Sequence, residues 1–298
     1  MNKKMTDVLV VGFALFAMFF GAGNLIFPPK LGLAAGTNFL PSLIGFLITG
    51  VGMPLLGIMA VSKAGGTIDN LAGKVGKKFS VILGTVIVLA IGPLFAIPRT
   101  AATTFEMGVL PSFPFMGTGM TYSIIFSVIY FAITLFFVLN PSSVIDNIGK
   151  VLTPVLLITL AIIIAKGVVA PIGTPINTGY TNPFSKGFVE GYQTMDAIAS
   201  ILFGGIIVAS LIQRGYKSSK DQTSLTIQAG IVAATGLALV YGGLMYLGST
   251  VSGTMSADLT KVQLIVAITQ GILGNFGKIA LGICVALACL TTSIGLVA

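Results

Sequence analysis

Residues Val8 to Pro29 read VLVVGFALFAMFFGAGNLIFPP, 22 residues without a charge, broken near their centre by Gly21, Ala22, Gly23 and Asn24. Roughly 20 apolar residues suffice to cross ~30 Å of hydrocarbon, so the run is long enough to span. A spanning helix keeps its backbone hydrogen bonds within itself, because lipid offers no partners. Two glycines weaken the helix there, and an asparagine amide is costly to leave facing hydrocarbon. The interruption is tolerable only where it lines a cavity enclosed by protein, where freed N–H and C=O groups can hold something small.

Composition agrees with a membrane setting. The chain is 55% hydrophobic and 8% charged over 298 residues, with a mean hydropathy of +1.03. A soluble domain of this length has too little interior to hide that much apolar surface. The sequence has no histidine, which excludes an imidazole metal site and a His-based catalytic triad. Cys284 and Cys289 stand five apart in an apolar run, a spacing that suits neither a zinc pair nor a redox CxxC. The net charge of +8 comes from basic residues scattered between spans, which argues for membrane topology and against nucleic acid as a partner. Met1 to Lys4 ahead of an apolar run resembles a signal peptide. The run is too long, however, and ends in Phe27-Pro28-Pro29 without a cleavage site, so it is read as a retained first helix.

Charges and turn residues divide the chain into eight expected spans, at about 7–28, 39–61, 79–107, 120–139, 148–169, 188–212, 222–249 and from about 278 onward. The third is itself interrupted, by Gly92-Pro93 and by Pro98. The loop at 110–119 and the Asn140-Pro141 turn bound the fourth span, and an apolar helix with polar edges at 258–276 suits the interface. With the amino terminus inside, inner loops receive ten basic residues and outer loops five. That asymmetry supports a cytoplasmic amino terminus in the cell membrane. The chain stops inside an uncharged helix without cap or anchor, which reads as a truncation.

A second interruption is expected in the sixth span, at Ser200, Gly204 and Gly205, with Asp196 one to two turns earlier. Broken helices at the first position of two successive groups of five mark inverted-repeat transporters. Residues of about 7–169 would form the first repeat and about 188–298 an incomplete second one, in a single transmembrane domain. A half-helix N-terminus after a break suits a carboxylate, and exposed carbonyls before it suit a cation. Against this, glycines in membrane helices often serve close packing. Phe19, Phe20, Leu25, Ile201 and Phe203 can wall an apolar pocket.

Three segments carry a family resemblance: FALFAMFFGAGNLIFPPKLG (13–32), GPLFAIPRTAATTFEMG (92–108) and GYQTMDAIASILFGG (191–205). They resemble the branched-chain amino acid carriers, the LIVCS family of bacterial cation symporters, and the similarity extends over the whole chain. That family is similar in fold to LeuT-like transporters. The resemblance therefore implies an all-α, LeuT-like inverted-repeat bundle with discontinuous helices 1 and 6. Family members carry about twelve spans, so it also implies that the last third is missing and that the chain alone is inactive. It implies a carrier, not an enzyme, that imports Leu, Ile and Val by alternating access, with Na⁺ or H⁺ as coupling ion and no other cofactor.

Carried over position by position, the resemblance makes Ala22 and Gly23 backbone donors to the substrate carboxylate, with Phe19, Asn24, Ser200, Phe203 and Gly204 beside them. It places a sodium site at the carbonyls of Ala17, Phe20 and Ala288 and the hydroxyls of Thr291 and Thr292. The alternative for the two threonines is a hydrogen bond back to their own helix one turn earlier. Charges at membrane depth are functional candidates, and Asp196, Arg99 and Glu106 qualify. Asp196 can balance a cation, carry a proton, draw in the substrate ammonium or cap a half-helix. Arg99 and Glu106, seven apart, share a helix face; pairing, gating and interfacial anchoring are all open to them. An ion channel or another small-solute carrier of the same fold are the alternative functions, and oligomeric state is left open.

Overall fold

The computed structural model describes residues 3–111, 113, 119–139 and 141–298. Most of the loop expected at 110–119, Asn140 of the expected turn, and Met1 and Asn2 lie outside the described residues. Within them the chain is helical and has no strand. Seven helical runs are long and apolar enough to cross a membrane: Ala22–Ala64, Lys77–Val109, Met120–Val138, Val144–Val169, Asp196–Gln213, Ser219–Thr250 and Asn275–Val297. Eight spans are expected from the sequence, and the difference lies at the first break. It leaves α1 (Lys3–Phe19) as a 17-residue piece and puts α2 (Ala22–Ala35) in one helical run with the second expected span. That second span is α3 (Phe39–Leu47) and α4 (Met53–Ala64), joined by a wide turn at Ile48–Gly52. The short α5 (Ile68–Ala72) follows, started by Thr67, whose side chain accepts the Asn70 N–H.

The third span is α6 (Lys77–Leu89) and α7 (Ala96–Thr104), followed by a wide turn at Phe105–Val109. Its kink falls at Gly92, where ψ is −114°, ahead of Pro93. Pro98 sits inside the first turn of α7 and breaks nothing, because a proline there removes an N–H that has no helical acceptor anyway. Helix α8 (Met120–Val138), α9 (Pro141–Asn147) and α10 (Thr153–Val169) complete the fourth and fifth spans. Much of α6 and α8 turns large apolar side chains outward, among them Ile82, Val86, Val128 and Phe136. Such a surface suits lipid, not water.

The second interruption is real but sits earlier than the glycines suggest. Helix α11 (Pro183–Tyr192) ends, Met195 takes φ +67°, and α12 (Asp196–Gln213) then runs unbroken through Ser200, Gly204 and Gly205. Those three residues pack. A Cβ on Gly204 would come within 3.0 Å of the Val61 side chain, and one on Gly57 would meet the Ser200 hydroxyl at 1.9 Å. The small residues therefore let α12 lie close to α4.

Helix α13 (Ser219–Thr250) is the axis of the molecule, ~48 Å long at 1.5 Å per residue. In its first turn Asp221 lies 3.6 Å from Lys4, and near its end Gly248 abuts Pro29 of α2. This last contact is backbone on backbone. A Cβ on Gly248 would fall 2.0 Å from the Pro29 carbonyl, and one on Gly32 would fall 2.0 Å from the Met245 carbonyl. Helix α14 (Lys261–Leu273) is the shorter apolar helix expected at 258–276, and α15 (Asn275–Val297) is the eighth expected span.

Charged ties close both ends of the bundle. At the end where the chain begins, Arg214 donates to Asp7 Oδ1 at 2.5 Å and also to Asp146, while the Tyr216 hydroxyl donates to Asp7 Oδ2 at 2.8 Å. This joins α1, α9 and the loop after α12. At the other end Lys261 lies 3.2 Å from Glu190 and 3.9 Å from the centre of the Phe27 ring, joining α14 to α11 and α2. Lys30 donates to the carbonyls of Ala257 and Leu259 at 2.6 and 2.7 Å.

Two outcomes follow from this packing. Gly248→Leu drives a side chain into the α2 backbone and is expected to cost at least ~3 kcal/mol, beyond ordinary overpacking because backbone cannot yield. Gly84→Ala, with only an ordinary contact 3.7 Å away, should be neutral. Thermal unfolding in detergent distinguishes the two. Arg214→Ala removes the hub of the tie at α1 and should speed amide exchange in the first two turns of α1, whereas Lys261→Ala should leave that segment unchanged.

Candidate functional site

At the first break Gly21 is extended, with φ −104° and ψ −163°. Its N–H turns to the Phe19 carbonyl at 2.9 Å, and Asn24 Oδ1 also accepts it at 3.3 Å. In an unbroken helix that N–H would serve Ala17, so the Ala17 carbonyl loses its helical donor. Helix α2 then starts at Ala22 with its first N–H groups lacking helical acceptors.

Asn24 ties this break to the rest of the molecule. Its Nδ2 donates to Asp196 Oδ2 and to the Tyr241 hydroxyl, each at 2.5 Å. Asn24, Asp196 and Tyr241 are all buried. The break between α1 and α2 therefore meets the first residue of α12, just past the second break, and the middle of α13. Packed rings hold the arrangement: Phe20 stacks between Phe16 and Tyr241 at 5.5 and 6.1 Å, and Phe46 meets Tyr241 edge-on at 5.2 Å.

A small, partly open cavity of about 30 Å³ lies beside this junction, well below the usual volume of small-ligand sites, so a substrate fits only once the surrounding helices move apart. Of the expected substrate residues, Phe19, Ala22, Asn24 and Phe203 line it, as does Gly21. Phe19 and Phe203 meet edge-to-face at 5.2 Å and form its apolar wall. Gly23 lies one step behind, where a Cβ would come within 3.1 Å of Arg99 Nη2. Ser200 and Gly204 face α4 and stay out of the cavity, and Phe20, Leu25 and Ile201 are likewise absent from its lining. Arg99 and Asp196 both line it. Glu106 does not; it is exposed on the wide turn at Phe105–Val109. Seven residues apart on one span, Arg99 and Glu106 thus sit in different environments.

The expected cation residues converge in part. Thr291 Oγ1 lies 2.9 Å from the Ala17 carbonyl, 2.9 Å from that of Leu287 and 3.1 Å from that of Ala288. Thr292 Oγ1 is 3.3 Å from the Ala17 carbonyl. Thr291 therefore bonds back within α15, as the alternative reading has it, and also across to α1. Neither hydroxyl reaches the Phe20 carbonyl. Thr291 has one proton for three carbonyls, which makes the cluster rich in oxygen lone pairs and poor in donors. Among the described residues no group of three or more Cys, Asp or Glu forms a carboxylate or thiolate metal centre.

Several site residues escape sequence reasoning. Tyr241 is a tyrosine inside an apolar span, and a buried phenol needs a partner, so its signal was present though faint. Thr194 and Met195 form the true second break and line the cavity. Thr100, which also lines it, contacts Ser293 Oγ at 3.3 Å.

Comparison with known proteins places this architecture. The family model described as "Branched-chain amino acid transport protein" matches residues 4–298. The "Branched-chain amino acid transport system 2 carrier protein" of Pseudomonas aeruginosa is 43% identical over 299 residues, covering 99% of this chain and 68% of that protein. The "Branched-chain amino acid permease BraB" of Bacillus subtilis is also 43% identical over 299 residues, covering 99% of this chain and 67% of that one. With its apolar spanning helices and a match along nearly its whole length, the chain is a multi-pass membrane protein of the branched-chain amino acid transport family, and a transporter, not an enzyme.

Proposed function

We propose that this protein imports leucine, isoleucine and valine across the cell membrane together with a cation, Na⁺ being favoured, by alternating access. The observation that carries the reading is the junction of the two breaks: Asn24 on Asp196, with the orphaned Ala17 carbonyl beside Thr291 and Thr292. Freed peptide groups from one break and a carboxylate from the other face a single cavity, as binding at the interface of two helix bundles requires. The names of the Pseudomonas and Bacillus relatives supply the substrate class. Phe19 and Phe203 supply an apolar wall. One methylene is worth only ~1–3 kcal/mol of discrimination, so all three branched side chains should be accepted.

In this reading Na⁺ sits among Ala17, Ala288, Thr291 and Thr292 and cross-links α1 to α15. Oxygen ligands without a formal charge suit a monovalent cation that gives up part of its hydration shell. The ties at the two ends become the gates: Arg214 with Asp7 and Asp146 on the cytoplasmic side, Lys261 with Glu190 and Phe27 outside. The side assignment follows from the excess of basic residues in the loops on the amino-terminal side. The two broken helices would belong to the paired inverted repeats of a LeuT-like bundle.

The test is uptake of radiolabelled leucine into proteoliposomes bearing the full-length protein. Uptake should require an inward Na⁺ gradient, be inhibited by isoleucine and valine, and produce no single-channel current in a planar bilayer. Equal uptake with and without Na⁺, but dependent on a pH gradient, would replace sodium by a proton carried on Asp196. Thr291→Ala should raise the Na⁺ concentration for half-maximal uptake by about tenfold, the ~1.4 kcal/mol expected for one lost ligand-strength hydrogen-bonding group. Thr159→Ala, at a half-buried threonine on α10 that bonds back to the Val155 carbonyl, should leave it unchanged.

A further inference from the structure

The last turn of α4 and the first turns of α13 border an open groove of about 560 Å³. Lys63 lines it from α4, and Lys220, Thr223, Ser224, Ile227 and Gln228 line it from α13. The groove lies at the end of the bundle where the chain begins, because Asp221, next to Lys220, is 3.6 Å from Lys4. Both lining lysines are exposed. Among the described residues neither has a carboxylate within 4.0 Å, although Lys4, Lys150, Lys261 and Arg214 all do. Asp221 is already taken by Lys4, so nothing anionic offsets Lys63 and Lys220. Hydroxyl groups line the space between the helices. Gln228 Nε2 donates to Ser224 Oγ at 3.1 Å, which leaves the Ser224 proton free to be given, and Thr223 adds a second hydroxyl. Two cations with hydroxyl donors and no acid form a seat for a phosphate.

The groove continues toward the apolar middle of the bundle. On α4, Lys63 extends the face of Met53, Leu56 and Ala60, spaced three or four apart and all exposed. On α13, Lys220 stands at the head of a face that passes through Ser224 and Gln228 to Ile231 and Leu239, which are 53% and 71% exposed. A cationic head end thus opens onto two stripes of apolar side chains turned to lipid. Free phosphate matches the head end alone, whereas a phospholipid matches both parts.

We infer that this groove seats an acidic phospholipid, with its phosphate between Lys63 and Lys220 and its acyl chains along the exposed faces of α4 and α13. The seat is separate from the cavity between the two breaks and shares no residue with it. Its position gives it leverage, because each of the two helices supports one of the broken ones. A Cβ on Gly204 of α12 would meet Val61 of α4 at 3.0 Å, and one on Gly12 of α1 would meet Val232 of α13 at 2.8 Å. A lipid that bridges α4 and α13 therefore staples together the supports of both breaks.

The experiment is lipid titration of the detergent-solubilised full-length protein, read by native mass spectrometry. The probes are dioleoylphosphatidylglycerol, dioleoylphosphatidylcholine and inorganic phosphate. The wild-type protein should bind phosphatidylglycerol at least ~10-fold more tightly than phosphatidylcholine, and millimolar phosphate should not displace it. The double variant Lys63→Gln/Lys220→Gln should weaken phosphatidylglycerol about 30-fold, from the ~1 kcal/mol that each basic residue contributes near an anionic membrane surface. Its binding of phosphatidylcholine should be unchanged. Lys77→Gln/Lys78→Gln removes two exposed lysines at the start of α6, outside the groove, and should bind phosphatidylglycerol as the wild type does. Equal binding of the two lipids by the wild type overturns the seat, since the contact is then unselective. Equal loss in the two double variants also overturns it, in favour of a diffuse positive surface. Displacement by inorganic phosphate overturns the lipid as the occupant. If the groove variant does not fold, the wild-type selectivity and the phosphate competition still decide.

Discussion

The structure depends on a backbone that is unwound at Phe20 and Gly21 within an otherwise apolar helix. Each peptide group left without a partner in hydrocarbon costs several kcal/mol, so the break persists only where neighbouring elements supply partners. Three do so. Asn24 returns its amide oxygen to the Gly21 N–H, and Thr291 and Thr292 of α15 point hydroxyls at the Ala17 carbonyl. Phe20 is clamped in a ring stack on Tyr241. Of the groups that support the break, Asn24 and Thr292 also line the cavity, so the break and the cavity share part of their contacts.

That economy explains why α13 is built as it is. Its glycine-to-backbone crossing with α2 fixes the height of the second half-helix, and Tyr241, two turns earlier on the same helix, holds Asn24. The ends of the bundle are treated differently from its middle. They carry long charged side chains in ties, half-exposed at Lys261–Glu190 and Arg214–Asp146 and largely buried at Arg214–Asp7. Such contacts are individually weak when solvent can reach them, which is a suitable property for groups that have to separate and rejoin. The middle is held by buried hydrogen bonds and rings, which favour one arrangement.

The first break was legible because its residues are unusual in any spanning helix: two glycines and an asparagine, then two prolines. The second was legible in existence but misplaced. Ser200, Gly204 and Gly205 carry the same compositional signal, yet here small residues serve the approach of α4, and the actual turn at Gln193 to Met195 contains no glycine. Met195 adopts a positive φ imposed by its surroundings, a tertiary effect that propensity does not record. Arg99 and Glu106, expected on one helix face, end in different settings, Arg99 lining the cavity and Glu106 exposed. Where the sequence pattern concerned chemistry that cannot be hidden in lipid, as with Asn24, Asp196 and the Thr291-Thr292 pair, it led to residues that meet in space.

The most direct measurement is a high-resolution density map of the full-length protein in a lipid nanodisc with Na⁺ and leucine. The account predicts an interrupted helix at Phe20–Gly21, an ion among the oxygens of Ala17, Ala288, Thr291 and Thr292, and an amino acid between the start of α2 and Asp196. Regular helix continuing from Lys3 through Ala35, with dry, tightly packed side chains where the cavity should be, would contradict it.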